Sequence, residues 1–314
     1  MVDFNKKRFM VKICRLYYIG NYKQQEIAKK LHVSRTTVSR FLIKARKEGI
    51  VEININQTLE DFSEMEYQIE KKFGLNECMI VDTLENDKEI IRSMGGRINS
   101  LLERILDNES YIGIGWGYSL RELSEYINID DKKDLKVVPI IGGLGKTGTG
   151  IHTNSVAAKI ADKVRGISYM IHSPAIMDSK EVKEFMEKDS NAKTIIDLFK
   201  KVDTAFVGVS DLGNESSLIK TGSINKEDIE YIKSIGVIGD VNLIFINKDG
   251  EHVPNKIDER ILRIPIERIK NIKNVITIAL GKRKFEVLRA ALKGKIINIL
   301  LTDKETAEYI LNAK

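Results

Sequence analysis

A run of alternating glycines ends an apolar stretch at residues 111–119 (YIGIGWGYS). Gly113, Gly115 and Gly117 allow a ligand to approach the backbone closely, and Ser119 adds a hydroxyl group near the start of a predicted helix. Backbone N–H groups at such a strand-to-helix turn favour anions. The spacing is not the GxGxxG of dinucleotide sites. We therefore predict an anion-binding turn, the alternative being glycines that serve only the turn itself.

A second glycine-rich loop, GGLGKTGTG at residues 142–150, follows the apolar run VVPII and precedes a helix that is predicted to begin near Thr153. It is not a nucleotide P-loop, because the GxxxxGK[ST] pattern would need a glycine where Ile140 stands. We interpret it as a ligand-facing loop, with Lys146 either solvated or in contact with an anion.

The cysteines and histidines do not have the spacing of a metal site. Cys14 and Cys78 are far apart, and the four histidines form no HxxxH or HExxH pair. We therefore expect reduced thiols, no metal and no cofactor.

Residues 35–48 carry a different set of polar groups. Once Val38, Phe41, Leu42 and Ala45 are assigned to a core by their helical spacing, guanidinium, hydroxyl and ammonium groups remain. Such groups suit base edges and phosphates. We expect Arg35, Thr36 and Arg40 to contact bases and the lysines to contact phosphates. The full predicted DNA-binding set is Arg35, Thr36, Thr37, Ser39, Arg40, Lys44 and Lys47.

Three helices are predicted to position these groups, at residues 6–19, 24–31 and 35–48, with Ser34 capping the third. Two of them cross through a tight turn at His32 and Val33, the pattern of a helix-turn-helix. His32 stands where glycine is frequent. The alternative is a helical hairpin that packs in some other core.

The distribution of charge supports a polyanionic partner for this segment. Residues 1–56 carry a net charge of +9 and the remainder −3, within a total of +6. The composition is 42% hydrophobic and 31% charged, which is typical of an ordered globular protein. No run is long and apolar enough for a membrane span or a signal peptide, so we expect a cytoplasmic protein.

Residues 50–73 are predicted to connect two domains. A short strand is expected at 50–55 and an amphipathic helix at 58–73, in which Leu59, Phe62, Met65, Ile69 and Phe73 recur at helical spacing. This helix is either a dimer seam or lies on the large domain. The predicted domains are 1–56, a connecting segment 57–74, and 75–314.

From residue 77 onward, short apolar strands alternate with helical stretches. The runs are CMIVD, YIGIG, LKVVPIIGG, ISYMIH, TAFVGVS, NLIFIN, VITIALG and IINILLTD. This alternation predicts an α/β fold with an open parallel sheet covered by helices on both faces. Ligands of such sheets bind beyond the carboxyl ends of the strands.

With these landmarks, the whole chain resembles the SorC family of bacterial transcriptional regulators. The resemblance rests on QQEIAKKLHVSRTTVSRFLIKARKEGIV and, in order, on GIGWGYSL, IIGGLG, HTNSVAAKIA, HSPAIM, DTAFVGVS, GVIGDV, ALGKRKFEVLRAAL and LLTDKETA. It implies a helix-turn-helix domain followed by a Rossmann-like sensor of the sugar-phosphate isomerase and deaminase type. It also implies a sugar-phosphate effector, double-stranded operator DNA, and a homodimer or homotetramer.

Carried over position by position, the resemblance also implies an effector site. Lys284 is expected to neutralise phosphate, and Asp203 and Asp240 are expected to accept hydrogen bonds from sugar hydroxyls, unless each acid only caps a helix or ties a loop. The site comprises Gly115, Trp116, Gly117, Ser119, Gly142, Gly143, Asn154, Asp203, Gly208, Asp240 and Lys284.

Two alternatives have different consequences. A sugar-phosphate isomerase or deaminase with a DNA-binding appendage would pair Asp203 or Asp240 with His152 or His172 for acid–base chemistry, but no spacing links them. A nucleic-acid-binding protein without a ligand would leave the glycine loops unexplained. We therefore predict a regulator with no catalytic residues.

Overall fold

The computed structural model describes residues 2–53, 61–143, 152–220 and 222–313. The chain divides into two compact units, Met1–Asp61 and Phe62–Lys314. We call them the N-terminal and the C-terminal unit.

The described residues of the N-terminal unit form three α-helices around one small core. They are α1 (Val2–Cys14), which continues as a π-helical turn over Arg15–Ile19, α2 (Gln24–Lys30) and α3 (Arg35–Lys47). Ile13, Ile27, Val38 and Ala45 have no exposed surface, and Leu42 is almost fully buried among them. The helical spacing of Val38, Leu42 and Ala45 therefore predicted the part of this core that α3 contributes.

The turn between α2 and α3 is tight because His32 adopts a left-handed backbone conformation, with φ at 54°. This region favours glycine, since a Cβ atom there crowds the following carbonyl group. Ser34 then caps α3 as predicted, and its Oγ accepts a hydrogen bond from the Thr37 N–H at 3.0 Å. A side-chain acceptor at this position satisfies one of the free donors of the first helical turn.

The C-terminal unit is built on a parallel sheet of seven strands among the described residues, in the order β1-β10-β9-β5-β2-β3-β4. These strands are β1 (Glu77–Val81), β2 (Tyr111–Ile114), β3 (Lys136–Pro139), β4 (Ile167–Ser168), β5 (Thr204–Phe206), β9 (Asn274–Ile278) and β10 (Ile299–Asp303). Central strands such as β9 are buried along their whole length, because helices cover both faces. The predicted α/β fold with an open parallel sheet is confirmed.

Two hydrophobic clusters lie on opposite faces of the sheet. Helices α5 (Asp87–Ile105), α6 (Tyr118–Leu123) and α7 (Thr153–Lys163) contribute to one cluster. Helices α4 (Ser63–Phe73), α9 (Ser190–Leu198), α13 (Phe285–Lys293) and α14 (Lys304–Asn312) contribute to the other. Helix α12 (Ile266–Lys270) adds Ile269 to this second cluster. The other described α-helices of this unit are α8 (Lys180–Lys188), α10 (Ser217–Lys220) and α11 (Lys226–Ser234).

A separate antiparallel sheet was not predicted. It contains β6 (Val209–Asp211), β7 (Gly239–Val241) and β8 (Ile244–Ile246). Asn242 and Leu243 join β7 to β8 with φ values of 52° and 60°, which is the two-residue turn of a tight hairpin. The assignment of NLIFIN to the parallel sheet was therefore wrong, since a hairpin partner must be antiparallel, and TAFVGVS divides into β5 and β6.

The connecting helix α4 lies on the C-terminal unit. Ile69 has no exposed surface and Phe73 is 9% exposed within its core. Carboxylate oxygens of Glu70 and Glu66 accept hydrogen bonds from the N–H groups of Cys78 and Ile80, each at 2.8 Å, along the outer edge of β1. Of the two alternatives for this helix, docking is therefore the one observed.

The start of the connecting segment differs from its prediction. Residues 50–53 form no strand, so the strand expected at 50–55 is wrong in that part. The rest of that stretch and Leu59 lie outside the described residues.

Candidate functional site

A cavity of about 550 Å³ opens at the carboxyl ends of β2, β5 and β9. Three loops that follow these strands contribute Trp116, Gly208 and Gly281 to its wall, and the β7–β8 hairpin contributes Asp240 and Asn242. The volume lies in the range typical of small-ligand sites. The cavity therefore occupies the position that a parallel α/β sheet predicts for a ligand.

The β2–α6 turn forms one side of this cavity because its glycines permit an unusual backbone. Gly117 has φ at 137°, a conformation that side chains rarely adopt. A Cβ atom on Gly115 would lie 2.5 Å from Asn242 Oδ1, so only glycine leaves room for that carboxamide. The glycines predicted from the sequence thus shape the cavity wall.

Several buried polar atoms of residues that line this cavity have no hydrogen-bond partner among the described residues. They are Trp116 Nε1, Asp240 Oδ1 and both polar atoms of the Asn242 carboxamide. Their residues are only 7%, 4% and 3% exposed, respectively. A buried polar group without a partner costs about 1–3 kcal/mol. Four such atoms in one cavity are the arrangement expected where a polar ligand supplies the missing bonds.

Asp240 titrates far above the ordinary range of a carboxyl group. Burial raises its pKa from 3.8 to about 7, and the nearby carboxylate of Asp211 acts in the same direction. The Leu243 N–H, which donates to Asp240 Oδ2 at 2.8 Å, and the charges of Arg263 and Lys284 oppose the rise. Near neutral pH this side chain can therefore act as a hydrogen-bond donor or as an acceptor.

Basic groups gather at one end of the cavity, in the segment Gly281–Lys284 and at Lys220. Lys284 Nζ lies 3.5 Å from the Oγ of the buried Ser119, and burial lowers its pKa. Lys220 and Lys282 form ion pairs with Glu215 and Glu305. In the described part of the chain, Arg283 and Lys284 have no such partner, so both cations are available to an anionic ligand.

Six of the predicted effector residues line this cavity. They are Trp116, Gly117, Ser119, Gly208, Asp240 and Lys284. Gly115 lies directly behind the wall, against the Asn242 carboxamide.

Four predicted effector residues lie elsewhere. The Asp203 carboxylate accepts the Tyr111 N–H at 3.1 Å at the amino ends of β5 and β2, which is the wrong end of the sheet. The Asn154 carboxamide donates to the carbonyl oxygen of Ile171 and accepts from its N–H, with both hydrogen bonds at 3.0 Å. Gly142 and Gly143 pair with neighbouring segments, and residues 144–151 of their loop, including Lys146, lie outside the described residues. We leave these four residues out of the proposed site.

Asn242 contributes to the cavity although sequence analysis did not identify it. It was assigned to a strand, because it precedes an apolar run. Its residue type could have indicated a turn, since asparagine is one of the few residues that readily adopt the left-handed backbone conformation.

The acid–base pair required by the enzyme alternative is not assembled in the described residues. His152 caps α7, where burial lowers its pKa, and His172 is exposed. Neither lines the cavity that contains Asp240.

The second candidate surface is the outer face of α3 in the N-terminal unit. Arg35, Thr36, Arg40, Lys44 and Lys47 are exposed on it. Thr37 and Ser39 are half-buried, and Thr37 Oγ1 lies 2.8 Å from the Oγ of the cap residue Ser34. Lys44 Nζ lies 3.3 Å from Glu48, which offsets part of its charge. The face is polar and basic, as groove recognition requires.

Two features are absent from the described residues. No helix among them is long and apolar enough to cross a bilayer. No group of three or more His, Cys, Asp or Glu side chains among them is placed to hold a metal ion.

Known regulators resemble this chain over nearly its whole length. A family model described as "Putative sugar-binding domain" matches residues 57–312. The sorbitol operon regulator of Klebsiella pneumoniae is 30% identical over 97% of this chain and 98% of its own length. The deoxyribonucleoside regulator of Bacillus subtilis is 27% identical over 99% of each chain. The crystal structure of the full-length Klebsiella regulator SorC superposes with a TM-score of 0.75 over 97% of this chain and 98% of that chain. These relatives are named as regulators, which favours a regulator over the enzyme alternative.

Proposed function

Because the chain belongs to the SorC family of transcriptional regulators, we propose that it binds operator DNA through α3 and that a sugar phosphate in the C-terminal cavity controls this binding. The observation that carries the proposal is that residues with buried, unpartnered polar atoms line the same cavity as Arg283 and Lys284. Regulators of this kind act in the cytoplasm, where DNA and phosphorylated sugars are both present.

The chemistry of the cavity supports a ligand with two different ends. Arg283, Lys284 and the Ser119 hydroxyl would bind a phosphate through charge-assisted hydrogen bonds. Asp240, Asn242 and the Trp116 indole would bind hydroxyl groups, since together they offer both donors and acceptors. A purely apolar ligand would leave these atoms unpaired, and inorganic phosphate alone would satisfy only the basic end.

Thermal unfolding of the full chain with a panel of ligands tests this proposal. The panel contains inorganic phosphate, ribose 5-phosphate, 2-deoxyribose 5-phosphate, fructose 6-phosphate, sorbitol 6-phosphate and the same sugars without phosphate. A ligand at 100 times its Kd stabilises the folded state by about 2.7 kcal/mol, which is readily measured. Stabilisation by a phosphorylated sugar without turnover supports a sensor. Turnover would favour the enzyme alternative, and no stabilisation by any member would contradict the proposal.

We propose further that α14 transmits the effect of ligand binding from the cavity to α4. Its first turn contacts the basic loop, since Glu305 pairs with Lys282 at 2.9 Å and Thr306 Oγ1 accepts the Gly281 N–H at 3.3 Å. Its last turn is held by α4, because Lys72 Nζ donates to the carbonyl groups of Ile310 and Leu311, each at 2.9 Å. Helix α4 is the first element of the C-terminal unit after the DNA-binding unit.

The variant Lys72→Met tests this route, because it keeps an unbranched side chain but removes the donor. We expect ribose 5-phosphate or another stabilising panel member to bind with unchanged affinity but to change DNA affinity less than in the wild type. Lys71→Met, on the exposed side of the same helix, is the control. Equal ligand effects on DNA affinity in both variants would rule out this route.

A homodimer or homotetramer is part of the proposal. One recognition helix reads few base pairs, whereas a twofold dimer presents two helices to half-sites about one DNA turn apart. Sedimentation velocity of the full chain checks this, with a monomer at micromolar concentration as the contradicting result.

A further inference from the structure

The turn at the bottom of the cavity contains a strained residue. Leu243 has φ at 60°, yet it carries a branched side chain with no exposed surface. Non-glycine residues avoid this region, and they persist there only where the surroundings fix them. Contacts with neighbouring residues must therefore hold this turn in its conformation. The same turn carries Asn242, whose carboxamide has no hydrogen-bond partner among the described residues.

Hydrogen bonds to both backbone groups of Leu243 hold the turn, and we call these bonds, together with the Arg263–Asp258 ion pair, the brace. Its N–H donates to Asp240 Oδ2 at 2.8 Å, and its carbonyl oxygen accepts from Arg263 Nε at 3.2 Å. The Arg263 guanidinium is in turn fixed by Asp258, whose Oδ1 accepts from Nη2 at 2.7 Å. Arg263 itself does not line the cavity.

Asp258 is held in place from several sides. Its second oxygen, Oδ2, lies 2.9 Å from His252 Nε2 and accepts from Asn255 Nδ2 at 2.8 Å and from the Asn255 N–H at 3.1 Å. Burial alone would raise the pKa of Asp258, but the His252 hydrogen bond and the Arg263 charge leave this pKa below its ordinary value. The carboxylate is therefore ionised at neutral pH and anchors Arg263 firmly.

We propose that Arg263 is the positioning residue of the cavity. By locking the Asn242–Leu243 turn, it holds the Asn242 carboxamide and Asp240 Oδ1 in place to bind two adjacent hydroxyl groups of the ligand. The inference rests on the proposed function, because it assumes that this cavity binds the effector. It extends that function by assigning hydroxyl selection to Asn242 and its brace, separately from phosphate binding at Arg283 and Lys284.

The structure supports a hydroxyl pair as the group that is selected. The carboxamide offers a donor nitrogen and an acceptor oxygen, and Asp240, with its unpartnered Oδ1, lies two residues before Asn242 on the same hairpin. Residues of this hairpin turn cannot shift without moving Leu243 in its apolar cluster. A displaced turn would therefore lose hydroxyl contacts and leave the basic end of the cavity unchanged.

The test compares Arg263→Gln with Arg260→Gln. Arg260 is a matched control, because it also forms a partly buried ion pair, with Asp228 at 2.6 Å, but does not contact the turn. Dissociation constants of the full-length proteins are measured for inorganic phosphate and for ribose 5-phosphate, or for the panel sugar phosphate that stabilises the wild type most. We expect Arg263→Gln to weaken sugar-phosphate binding about tenfold and to leave phosphate binding within about twofold, since hydroxyl hydrogen bonds alone are lost.

A general loss of stability would not change the ratio of these two affinities. Equal weakening for both ligands, or the same change of ratio in Arg260→Gln, would overturn the proposal. If Arg263→Gln does not fold, Asp258→Asn is used instead, because it loosens Arg263 without removing it, and the same change of ratio is expected to a smaller extent.

Hydrogen exchange provides a readout that needs no ligand. Peptides covering residues 239–246 should exchange faster in Arg263→Gln than in the wild type and be unchanged in Arg260→Gln. Unchanged exchange in both variants would show that Arg263 does not hold the turn. If no panel member binds the wild type, the proposed function fails, and the exchange data alone decide whether the brace exists.

Discussion

The two candidate surfaces of this protein present polar groups in opposite ways. On α3, the residues proposed to contact DNA are mostly exposed, and they remain after the core positions of one short helix are assigned. In the C-terminal cavity, the decisive atoms belong to side chains that are at least nine-tenths buried, and they converge from separate loops. The first surface suits a large, rigid, highly charged partner, and the second suits a small molecule that is almost fully enclosed.

The two surfaces also differ in how favourable their unbound states are. The groups on α3 are solvated when DNA is absent, so the unbound state carries little penalty. The cavity contains a carboxyl group with a strongly raised pKa and an unpaired carboxamide, so its unbound state is destabilised until a ligand supplies partners. The following substitutions test this contrast.

The largest effect is expected for Asp240→Asn. The folded protein keeps a proton on Asp240 up to a pKa of about 7, whereas the unfolded chain releases it near 3.8. This group therefore favours folding less as the pH rises from about 4 to about 7. The variant cannot ionise, so we expect its free energy of unfolding to exceed that of the wild type by an amount that grows with pH, to about 4 kcal/mol at pH 8.

Urea unfolding at several pH values measures this difference. Asp211→Asn is the control, since it changes an acid of the neighbouring strand β6 that is less buried. Parallel pH profiles for the wild type and Asp240→Asn would contradict the destabilised unbound state.

Arg40→Ala should have the next largest effect, on the exposed surface. Loss of a bidentate base contact weakens binding by about 1–3 kcal/mol at that position only. We expect a duplex selected in vitro from a random library to bind about 10–100-fold more weakly, and random duplex to be much less affected. Fluorescence anisotropy measures both affinities. Equal losses on the two duplexes would place Arg40 among the phosphate contacts.

A smaller effect distinguishes Lys47 from Lys44. Each phosphate contact contributes about 0.9 to the slope of log K against log salt concentration. Lys47→Ala should reduce this slope by about that amount and weaken all DNA alike. Lys44→Ala should reduce it less, because Glu48 lies 3.3 Å from its ammonium group. Identical slopes for the two variants would contradict the role assigned to Glu48.

The smallest effect concerns the turn before α3. His32→Gly should stabilise the N-terminal unit by about 0.5 kcal/mol, since relief of the left-handed strain exceeds the entropy that glycine adds to the unfolded chain. Asn21→Gly is the control, because Asn21 has the same φ of 54° but tolerates it better. Differential scanning calorimetry of the full chain compares them. A larger gain for Asn21→Gly would refute the strain at His32.

The sequence predicted those features that depend on local spacing. Apolar residues three and four apart identified the core of the three N-terminal helices, and Ser34 was recognisable as a cap. The parallel strands followed from short apolar runs between helical stretches. Gly117 and Ser119 were predicted from their place in a glycine-rich strand-to-helix turn, and both line the cavity.

Features that depend on distant pairing were missed. Asn242 precedes an apolar run that suits a parallel strand as well as a hairpin, and only the antiparallel pairing of that run with β7 decides between them. Asp203 precedes β5, and its position in the sequence does not show that its carboxylate binds the Tyr111 N–H. Arg263 and Asp258 lie outside the cavity wall, so no ligand-binding pattern includes them.

The docking of α4 on β1 has a practical consequence for dissecting the molecule. Glu66 and Glu70 occupy the outward-facing N–H groups of an edge strand, which would otherwise be open to pairing with a strand of another molecule. A fragment that started at Glu77, the first residue of β1, would leave these N–H groups without partners and would be prone to aggregate. An isolated ligand-binding fragment should therefore begin no later than Phe62.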